Sequence, residues 1–506
     1  MDIFVPSSPA ATAPAPTPVE RQSVLRTLRS PRLLAVEILG GLVVALALIP
    51  EAIAFSVIAG VDPRVGLFSA FTMAVTIAIV GGRPAMISAA TGAVALVIAP
   101  LVASHGVQYL VAAILLAGLF QILLAVLGVA KLMRFIPRQV MVGFVNALAI
   151  LVFIAQLPEL INVPWLAYPL LGLALLIVFG LPRITTKVPA PLVAIVVLTL
   201  ITVLAAVTVP TVGDKGELPS SLPQLFFPQI PLNLETFKVI APYALAVAFV
   251  GLLESLMTAK LGDDVTDTRS NKTREAWGQG VANLVTGFFG GMGGCAMIGQ
   301  TMINVKASGA RTRISTFLAG AFLLVLVVVF GDVVALIPMV ALVAVMIFVS
   351  WATFDWHSIR PSTLRRMPKS ETSVMLITVV ATVSSNNLAV GVGAGVLAAM
   401  VLFARRVAHF VTVKRTVDST GETATYTVNG ELFFASSNDL YTQFQYALDP
   451  ENVVIDMHAS HLWDVSTLAA LEAITAKYEA GGKRVEIVGL NEASAAMQER
   501  MAGHLG

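Results

Sequence analysis

Two apolar stretches decide the fold of this chain: GGLVVALALIPEAIAFSVIAG, from Gly40 to Gly60, and VIAPYALAVAFVGLLESLMTAKLG, from Val239 to Gly262. Each carries one carboxylate near its middle, Glu51 in the first and Glu254 in the second. An ionised carboxylate is costly to bury in hydrocarbon, so such residues usually face a cavity and serve a function. The two glutamates lie 203 positions apart, which indicates that the chain repeats itself.

The composition is that of a membrane protein. Of the 506 residues, 57% are hydrophobic and 12% are charged, about half of the charged share that is usual in soluble domains. Apolar runs of 16 to 25 residues recur between Ala35 and Phe403, and that length crosses the core of a bilayer. Cys295 is the single cysteine, so no internal disulfide can form. The net charge of +2 does not indicate nucleic-acid binding, and we expect neither an enzyme nor a bound metal or cofactor.

The N-terminal residues carry two signals. The first twenty, MDIFVPSSPAATAPAPTPVE, are rich in Pro, Ala, Ser and Thr without apolar periodicity, which predicts a disordered tail over residues 1–20. They also lack the pattern of a cleaved signal peptide. Arg21, Arg26, Arg29 and Arg32 then precede the first apolar run, which predicts a cytoplasmic N-terminus in a bacterial inner membrane.

The apolar runs predict fourteen membrane spans. They lie at 33–59, 64–81, 86–102, 108–129, 139–157, 165–180, 189–209, 239–262, 274–291, 296–306, 311–330, 333–353, 371–386 and 388–404. The connections after even-numbered spans hold 17 Lys and Arg residues, and those after odd-numbered spans hold 3. Since cytoplasmic loops carry the excess of basic residues, this distribution predicts that both termini are cytoplasmic.

The spans divide into two repeats, residues 33–209 and 239–408. Seven spans per repeat give the halves opposite orientations, the plan of many secondary transporters. The sequence AMIS at Ala85–Ser88 recurs as AMIG at Ala296–Gly299, 211 positions later, and glycines precede both copies. Each copy opens a short span, which predicts a discontinuous helix that begins in mid-membrane. We expect the helices to begin near 89–92 and 299–301 and to point free N–H groups at an anion.

These features also have structural interpretations. Glycine and alanine in membrane helices permit close helix packing without any ligand. Pro50 removes a backbone amide and frees the carbonyl near Leu46, so Glu51 could serve that backbone instead. Glu254 could likewise be structural.

The composition changes after Arg405 and Arg406, where we predict a cytoplasmic domain over residues 412–506, separate from the transport domain at 21–408. Strands are predicted at Thr423–Phe434, Asn452–Met457 and Arg484–Val488, and helices from about Asn438, Val465 and Asn491. Alternating strands and helices predict a small α/β domain.

These stretches resemble the SulP (sulfate permease) anion transporter family. The first two spans match its "IPQG-x-AY/AF" core and the "AG-x-PP-x-x-GLY" that follows, and GLLESLMTAK, GQGVANLVTGFFGGM and SGARTR match further family segments. The C-terminal part resembles the STAS domain that follows the membrane part in this family. The resemblance covers nearly everything after the tail.

The resemblance implies a fold and a site. Spans 1–4 and 8–11 would form a core domain and spans 5–7 and 12–14 a gate domain, in a homodimer with an elevator-like mechanism. The anion would lie between the half-helices of spans 3 and 10. Carried over by position, the substrate-binding residues are Glu51, Phe55, Thr91, Gly92, Ile298, Gly299, Gln300 and Thr301.

The chain departs from the family at two of these positions. Many relatives have arginine where this chain has Gln300 and glutamine where it has Glu51, so the pocket here is more acidic. An anion is repelled from it unless Glu51 or Glu254 is protonated, and burial together with a like charge favours the neutral form. We therefore expect proton-coupled symport of sulfate, bicarbonate or a small dicarboxylate.

Other functions stay open at this point. One is a sodium-coupled bicarbonate transporter in which Glu254 and oxygens such as Thr258 bind the ion. Another is a membrane sensor that signals through the STAS domain, in which Ser466 occupies the position that is phosphorylated in STAS regulators. In the simpler interpretation, Asp464 or Ser466 caps a helix that begins near Thr467.

Overall fold

The structure is a computed structural model that describes residues 23–128, 131, 136–184, 189–231, 233–408 and 411–501. The predicted tail at 1–20, the cations Arg21, Arg134 and Lys187, and residues 502–506 of the predicted C-terminal domain lie outside the described residues. The chain divides into two compact units. One runs up to Pro368 and includes Met375–Ala394, and the other contains Lys369–Val374 and the chain from Gly395 onward.

Helices dominate the chain before the C-terminal sheet. In order they are α1 Val24–Leu28, α2 Pro31–Ala59, α3 Pro63–Val80, α4 Gly92–Val126, α5 Arg138–Ile154, α6 Ala167–Ile184, α7 Ala190–Leu204, α8 Leu234–Thr266, α9 Lys272–Phe288, α10 Ile298–Met302, α11 Arg313–Val329, α12 Gly331–Ala335, α13 Met339–Thr353, α14 Pro361–Arg366, α15 Lys369–Ser385 and α16 Leu388–Ala408.

A helix occupies each of the fourteen predicted segments. Helix α4 covers two of them, because non-helical backbone at Gly106 (φ 77°) bends it where the third and fourth segments meet. Among the described residues, seven helices are long and apolar enough to cross a membrane. The number of crossings stays a prediction.

Helix ends follow local chemistry. Pro31 and Pro63 stand in the first turns of α2 and α3, where the missing N–H costs no hydrogen bond. Gly60 ends α2 in the left-handed conformation (φ 74°), which a side chain would strain. Helix α2 continues through Pro50, so Glu51 lies inside an unbroken helix.

The third and tenth segments open with extended backbone, and their helices begin at Gly92 and Ile298, at or next to the predicted starts near 89–92 and 299–301. Two short strands, β1 (Ser88–Ala89) and β2 (Cys295–Ala296), pair antiparallel before the helices α4 and α10 begin. Extended backbone in mid-membrane needs partners for its polar groups, and here each strand supplies them to the other. These strands lie 207 positions apart, so the AMIS and AMIG copies, 211 apart, are not structural equivalents. That part of the repeat prediction was wrong.

Buried amides hold the two strands in place. Asn283 on α9 accepts a hydrogen bond from Gly294 N (2.9 Å) and donates to the Gly294 carbonyl (3.1 Å) and to Gln121 (2.9 Å). Gln279 donates to the Ser88 hydroxyl at 2.7 Å. Polar backbone at this depth is therefore satisfied by side chains of the same bundle.

The helices of the first unit pack into two groups. Helices α2, α3, α4, α8, α9, α10 and α11 pack on one another, and α5, α6, α7 and α13 form a second group. We call these the first bundle and the second bundle. Their membership follows the core and gate division that the family resemblance implies. Helices α2 and α4 contact the second bundle through α13 and α5.

The C-terminal part is a four-stranded sheet with helices. Its elements are β3 Thr412–Val417, β4 Thr423–Leu432, α17 Phe434–Thr442, β5 Asn452–Leu462, α18 Val465–Ala480, β6 Arg484–Val488 and α19 Glu492–Met501. The strand order is β3-β4-β5-β6, antiparallel in the first pair and parallel in the other two. The prediction missed β3, and α17 begins four residues earlier than expected.

A buried carboxylate joins three elements of this sheet domain. The Asp449 carboxylate accepts hydrogen bonds from the phenols of Tyr426 (2.7 Å) and Tyr478 and from Arg415 Nε (2.7 Å). Burial raises the pKa of both Tyr426 and Tyr478, so both phenols stay protonated as donors. The carboxylate thus has the partners that a buried charge requires.

Candidate functional site

A cavity of about 100 Å³ lies between the two bundles and contains both central glutamates. First-bundle residues line one side: Glu51, Phe55, Thr91, Gly92, Glu254, Met297, Ile298, Gly299 and Gln300. Seven of the eight residues predicted to bind substrate are among them. The eighth, Thr301, is buried outside the lining, where its hydroxyl accepts a hydrogen bond from Ile87 N at 3.0 Å and so fixes the strand crossing.

Glu51 pairs with Gln300 across the two repeats. Gln300 Nε2 donates to Glu51 Oε1 at 2.7 Å, and both side chains are buried. The other polar atom of the amide, Gln300 Oε1, is buried without a hydrogen-bond partner. The partner of Glu51 is therefore a side chain of the opposite repeat and not the carbonyl that Pro50 frees in α2.

Glu254 belongs to a different chain of contacts. Cys295 Sγ donates to Glu254 Oε2 at 3.0 Å, and Thr91 Oγ1 lies 3.1 Å from the same sulfur. The backbone around this contact is fixed as well, because Ala296 N donates to the neighbouring Ser255 hydroxyl at 3.0 Å. Sequence reasoning noted Cys295 only as the single cysteine and gave it no role.

The two helices that begin at the cavity differ in length and regularity. Helix α4 begins at Gly92 with Thr91 as its N-cap, at the predicted start, and continues for about four turns before Gly106. Helix α10 has five residues and continues as a π-turn over Ile303–Ala307. Thr301 N already donates to the Met297 carbonyl at 3.1 Å. The Thr301 amide is therefore engaged within the helix, whereas anion binding by the Gly299 and Gln300 amides stays a prediction, and α4 provides the stronger positive end.

Glycines at these two starts occupy different spaces. A Cβ at Gly92 would lie 2.9 Å from Phe55 Cε1 and 3.1 Å from Val152 Cγ2, so the Phe55 ring packs directly on the start of α4. A Cβ at Gly299 would have no atom within 4 Å, so this residue borders open space. Gly299 therefore keeps its backbone accessible to the cavity, whereas the absence of a side chain at Gly92 lets Phe55 and Val152 pack close to the start of α4.

The opposite wall comes from the second bundle, and no sequence signal predicted it. It consists of Phe144, Val145, Leu148, Ala149 and Val152 on α5 and Val349, Ser350 and Thr353 on α13. The Ser350 hydroxyl donates to the Ala149 carbonyl, so it is engaged within its own bundle. This wall is mainly apolar, whereas the charged and amide side chains belong to the first bundle.

A wider cleft adjoins the cavity. It has a volume of about 510 Å³ and shares Val145 and Ile298 with the cavity lining. Its charged residues are Arg138 and Asp355 on one side and Lys260 and Asp264 on α8. Arg138 and Lys260 belong to the connections predicted to be cytoplasmic, so the cleft lies between the cavity and that predicted face.

The ionisable side chains that line the cavity are both acidic. Glu51 and Glu254 are its carboxylates, and none of the described residues that line it is Lys or Arg. The described part of the chain also contains no group of three His, Cys, Asp or Glu side chains arranged to hold a metal. Thr258, considered as an ion ligand, donates to the Glu254 carbonyl at 2.7 Å and does not line the cavity.

In the C-terminal domain, Asp464 is the cap of α18. It accepts from Thr467 N and from the Thr467 hydroxyl, both at 3.1 Å, and from Phe434 N at 2.6 Å. The helix begins at Val465, where the strand and helix pattern predicted it, and not at Thr467. Ser466 is exposed in its first turn.

The sequence matches two family models. The model of the sulfate permease family matches residues 34–168 and 161–378, and the model of the STAS domain matches residues 414–502. A Bacillus subtilis protein, "Putative sulfate transporter YbaR", is 53% identical over 466 residues, which cover 92% of this chain and 96% of that protein.

Two solved structures are similar. The transmembrane domain of a cyanobacterial bicarbonate transporter, BicA, is 26% identical, has a TM-score of 0.64, and aligns over 73% of this chain and 98% of that one. The murine solute carrier 26 family member A9 anion transporter has a TM-score of 0.80, and the match covers 92% of this chain and 87% of the murine chain. At 15% identity, the second match shows the fold alone.

Proposed function

This chain belongs to the sulfate permease family of membrane transporters, and we propose that it carries a small anion across the membrane together with a proton. The anion is sulfate, bicarbonate or a small dicarboxylate. It occupies the cavity between the two bundles, with its charge at the start of α4.

The observation that carries this proposal is an anion cavity whose charged side chains are both acidic. At an effective dielectric of about 20, two unit charges about 5 Å apart repel each other by about 3 kcal/mol. Each 1.4 kcal/mol is a factor of ten in affinity, so one ionised carboxylate weakens anion binding by about a hundredfold. Protonation of Glu51 or Glu254 removes that repulsion, and anion binding and proton binding then favour each other.

The unpartnered amide oxygen supports a neutral form of Glu51. When Glu51 is protonated, its O–H can donate to Gln300 Oε1 while Gln300 Nε2 donates back, and both residues are satisfied. When Glu51 is ionised, the buried Gln300 oxygen has no donor among the described residues and faces a negative charge, which costs about 1–3 kcal/mol. The pair therefore favours the protonated state while the cavity is closed to water.

The distribution of polar groups supports an elevator-like movement. The carboxylates, the amide and the start of α4 all belong to the first bundle, and the second bundle offers a mainly apolar wall. The first bundle can therefore slide along the second while the anion keeps its hydrogen-bond partners. We propose that the first bundle moves and that the second bundle stays fixed.

Uptake into proteoliposomes tests the proposal. Purified protein is reconstituted, and labelled sulfate, bicarbonate and dicarboxylates are offered with a pH gradient, with a sodium gradient, or with neither. We expect a pH gradient to drive accumulation of one of these anions. Accumulation that follows sodium and ignores pH would instead support a sodium-coupled transporter, and no uptake of any anion would support the sensor function.

We also propose a homodimer in the bacterial inner membrane with both termini in the cytoplasm. The basic residues of the even-numbered connections support this orientation. Cysteines introduced singly at Arg269 and Lys215 in a Cys295→Ala background would report it through a membrane-impermeant thiol reagent. Labelling of position 215 alone in intact spheroplasts is the expected result, and the reverse pattern would overturn the orientation.

A further inference from the structure

Three buried side chains form a continuous chain from Glu254 to the start of α4. Cys295 Sγ lies 3.0 Å from Glu254 Oε2, and Thr91 Oγ1 lies 3.1 Å from the sulfur. Thr91 Oγ1 is also within 3.4 Å of Val94 N, as the cap of the helix. Thr91 and Glu254 line the cavity, and Cys295 connects them from behind.

The direction of these hydrogen bonds depends on the charge of Glu254. A thiol has one hydrogen, and an ionised carboxylate can only accept. When Glu254 is ionised, the Cys295 S–H donates to the carboxylate, so the Thr91 hydroxyl must donate its own hydrogen to the sulfur. That hydrogen is then turned away from the anion.

Protonation of Glu254 reverses the direction of these hydrogen bonds. The new carboxyl O–H donates to the Cys295 sulfur, the thiol S–H rotates and donates to Thr91 Oγ1, and the Thr91 hydrogen becomes available to the cavity. No proton leaves Cys295 or Thr91, because rotation of the S–H and O–H bonds is sufficient. We infer that Cys295 is a positioning residue that transmits the protonation of Glu254 to Thr91, which then donates a hydrogen bond to the anion.

Two titratable groups face Glu254: Cys295, and Glu51 across the cavity. The other titratable groups on the elements packed against α8 are engaged or exposed. Glu275 accepts from the amides of Gly82 and Arg83, Lys272 pairs with Asp263, Arg274 donates to the carbonyls of Ile79 and Val80, and His105 and Lys306 are exposed. Glu51 is therefore the group whose titration has to be separated from that of Glu254.

This inference rests on the proposed proton-coupled function and explains how coupling works without a cation. A hydrogen bond to a charged partner is equivalent to about a ten- to hundredfold change in affinity. We expect the anion to bind more tightly by about that factor when Glu254 is protonated, beyond the effect of lost charge repulsion.

An infrared measurement tests the switch directly. Because Cys295 is the single cysteine, the S–H stretching band of the full-length protein comes from one residue. On acidification the thiol exchanges a carboxylate acceptor for a weaker hydroxyl acceptor, so the band should move to higher wavenumber. The shift should persist in Glu51→Gln, and Glu254→Gln should hold the band at the acid position at every pH. A band that does not move in the wild type would overturn the inference.

Uptake kinetics provide the second test. In the wild type, we expect the KM for the anion to fall as pH falls. Cys295→Ser keeps a hydroxyl relay and should retain that dependence. Cys295→Ala removes the sulfur that holds the Thr91 hydrogen when Glu254 is ionised, so KM at high pH should fall about ten- to hundredfold towards its low-pH value, with little change in kcat. Thr91→Val should raise KM at low pH by a similar factor, in the wild type and in Cys295→Ala alike.

The outcomes separate the two proposals. A wild type without any pH dependence would refute the proposed proton coupling and this inference with it. A pH-dependent wild type with an unchanged Cys295→Ala variant would refute the relay alone. If Cys295→Ala and Cys295→Ser lose the pH dependence of KM to the same extent, residue 295 has a packing role, and the relay is refuted as well.

Discussion

Glu51→Gln should separate transport from stability. In the wild type, Gln300 Nε2 donates to Glu51 at 2.7 Å and Gln300 Oε1 has no partner. A glutamine at position 51 can accept the same bond and donate one back, which forms a reciprocal amide pair. One added buried hydrogen bond contributes about 0.5–1.5 kcal/mol, so the variant should be as stable as the wild type or slightly more stable. It cannot take up a proton, so uptake driven by a pH gradient should be lost.

Glu37 on the same helix is the matched control. It is also a buried glutamate, but it accepts from three backbone amides at the start of α11: Arg311 N (2.7 Å), Thr312 N (2.9 Å) and Ser315 N (3.1 Å). Glutamine offers one accepting oxygen and places an NH₂ group against a backbone donor. Glu37→Gln should therefore lower the free energy of unfolding by about 1.5–3 kcal/mol, while the remaining uptake keeps its pH dependence.

The assay combines thermal unfolding in detergent, followed by tryptophan fluorescence, with labelled-anion uptake into proteoliposomes with and without a pH gradient. The reasoning fails if Glu51→Gln unfolds at a lower temperature than Glu37→Gln. It also fails if Glu51→Gln protein that elutes as a single species responds to the pH gradient as the wild type does.

Four further predictions concern the strand crossing, the cavity and the C-terminal domain. Gly294→Ala would place a Cβ 2.0 Å from the Ala89 carbonyl oxygen, so it should reduce the yield of folded protein, as measured by size-exclusion chromatography. Gly299→Ala should fold and transport normally, because no atom lies within 4 Å of the added Cβ, whereas Gly299→Leu should fill the cavity and block uptake; normal affinity in the leucine variant would place the anion elsewhere. Deletion after Val411 should lower expression or rate but leave coupled uptake measurable, and complete loss in a well-folded truncated protein would contradict this. Within the domain, Asp464→Ala should lower its stability by about 1 kcal/mol through the lost cap, as measured by thermal unfolding of the full-length protein.

Hydropathy and charge predicted the places of the helices because each depends on a local property of the sequence. The same holds for Glu51 and Glu254, which stand out as carboxylates in apolar runs. The paired strands at Ser88 and Cys295 could not be predicted, since each is two residues long and is formed by a partner about two hundred positions away. The glycines near both strands were the local signal. They indicated that the helices are discontinuous, but they did not indicate that the strands pair.

The second wall of the cavity could not be predicted for a related reason. Phe144, Leu148 and Val349 are apolar residues on apolar helices, and nothing distinguishes a residue that faces a cavity from one that faces lipid. Cys295 was not recognised as functional because its significance comes from two neighbours distant in sequence. Its position between Glu254 and Thr91 is a property of the fold alone.

The two glutamates lie on the first long helix of each repeat, yet they have different partners, and the difference follows from how the repeats interlock. Glu51 of the first repeat contacts Gln300 on the half-helix of the second, and Glu254 of the second reaches Thr91 on the half-helix of the first through Cys295. Each carboxyl group is thus connected to the half-helix of the opposite repeat. Because the paired strands hold both half-helices at one point, the proposed mechanism lets a proton on either glutamate change the hydrogen bonds around the same anion. In this arrangement, two neutral carboxyl groups and the start of α4 can replace the fixed cation that the cavity lacks.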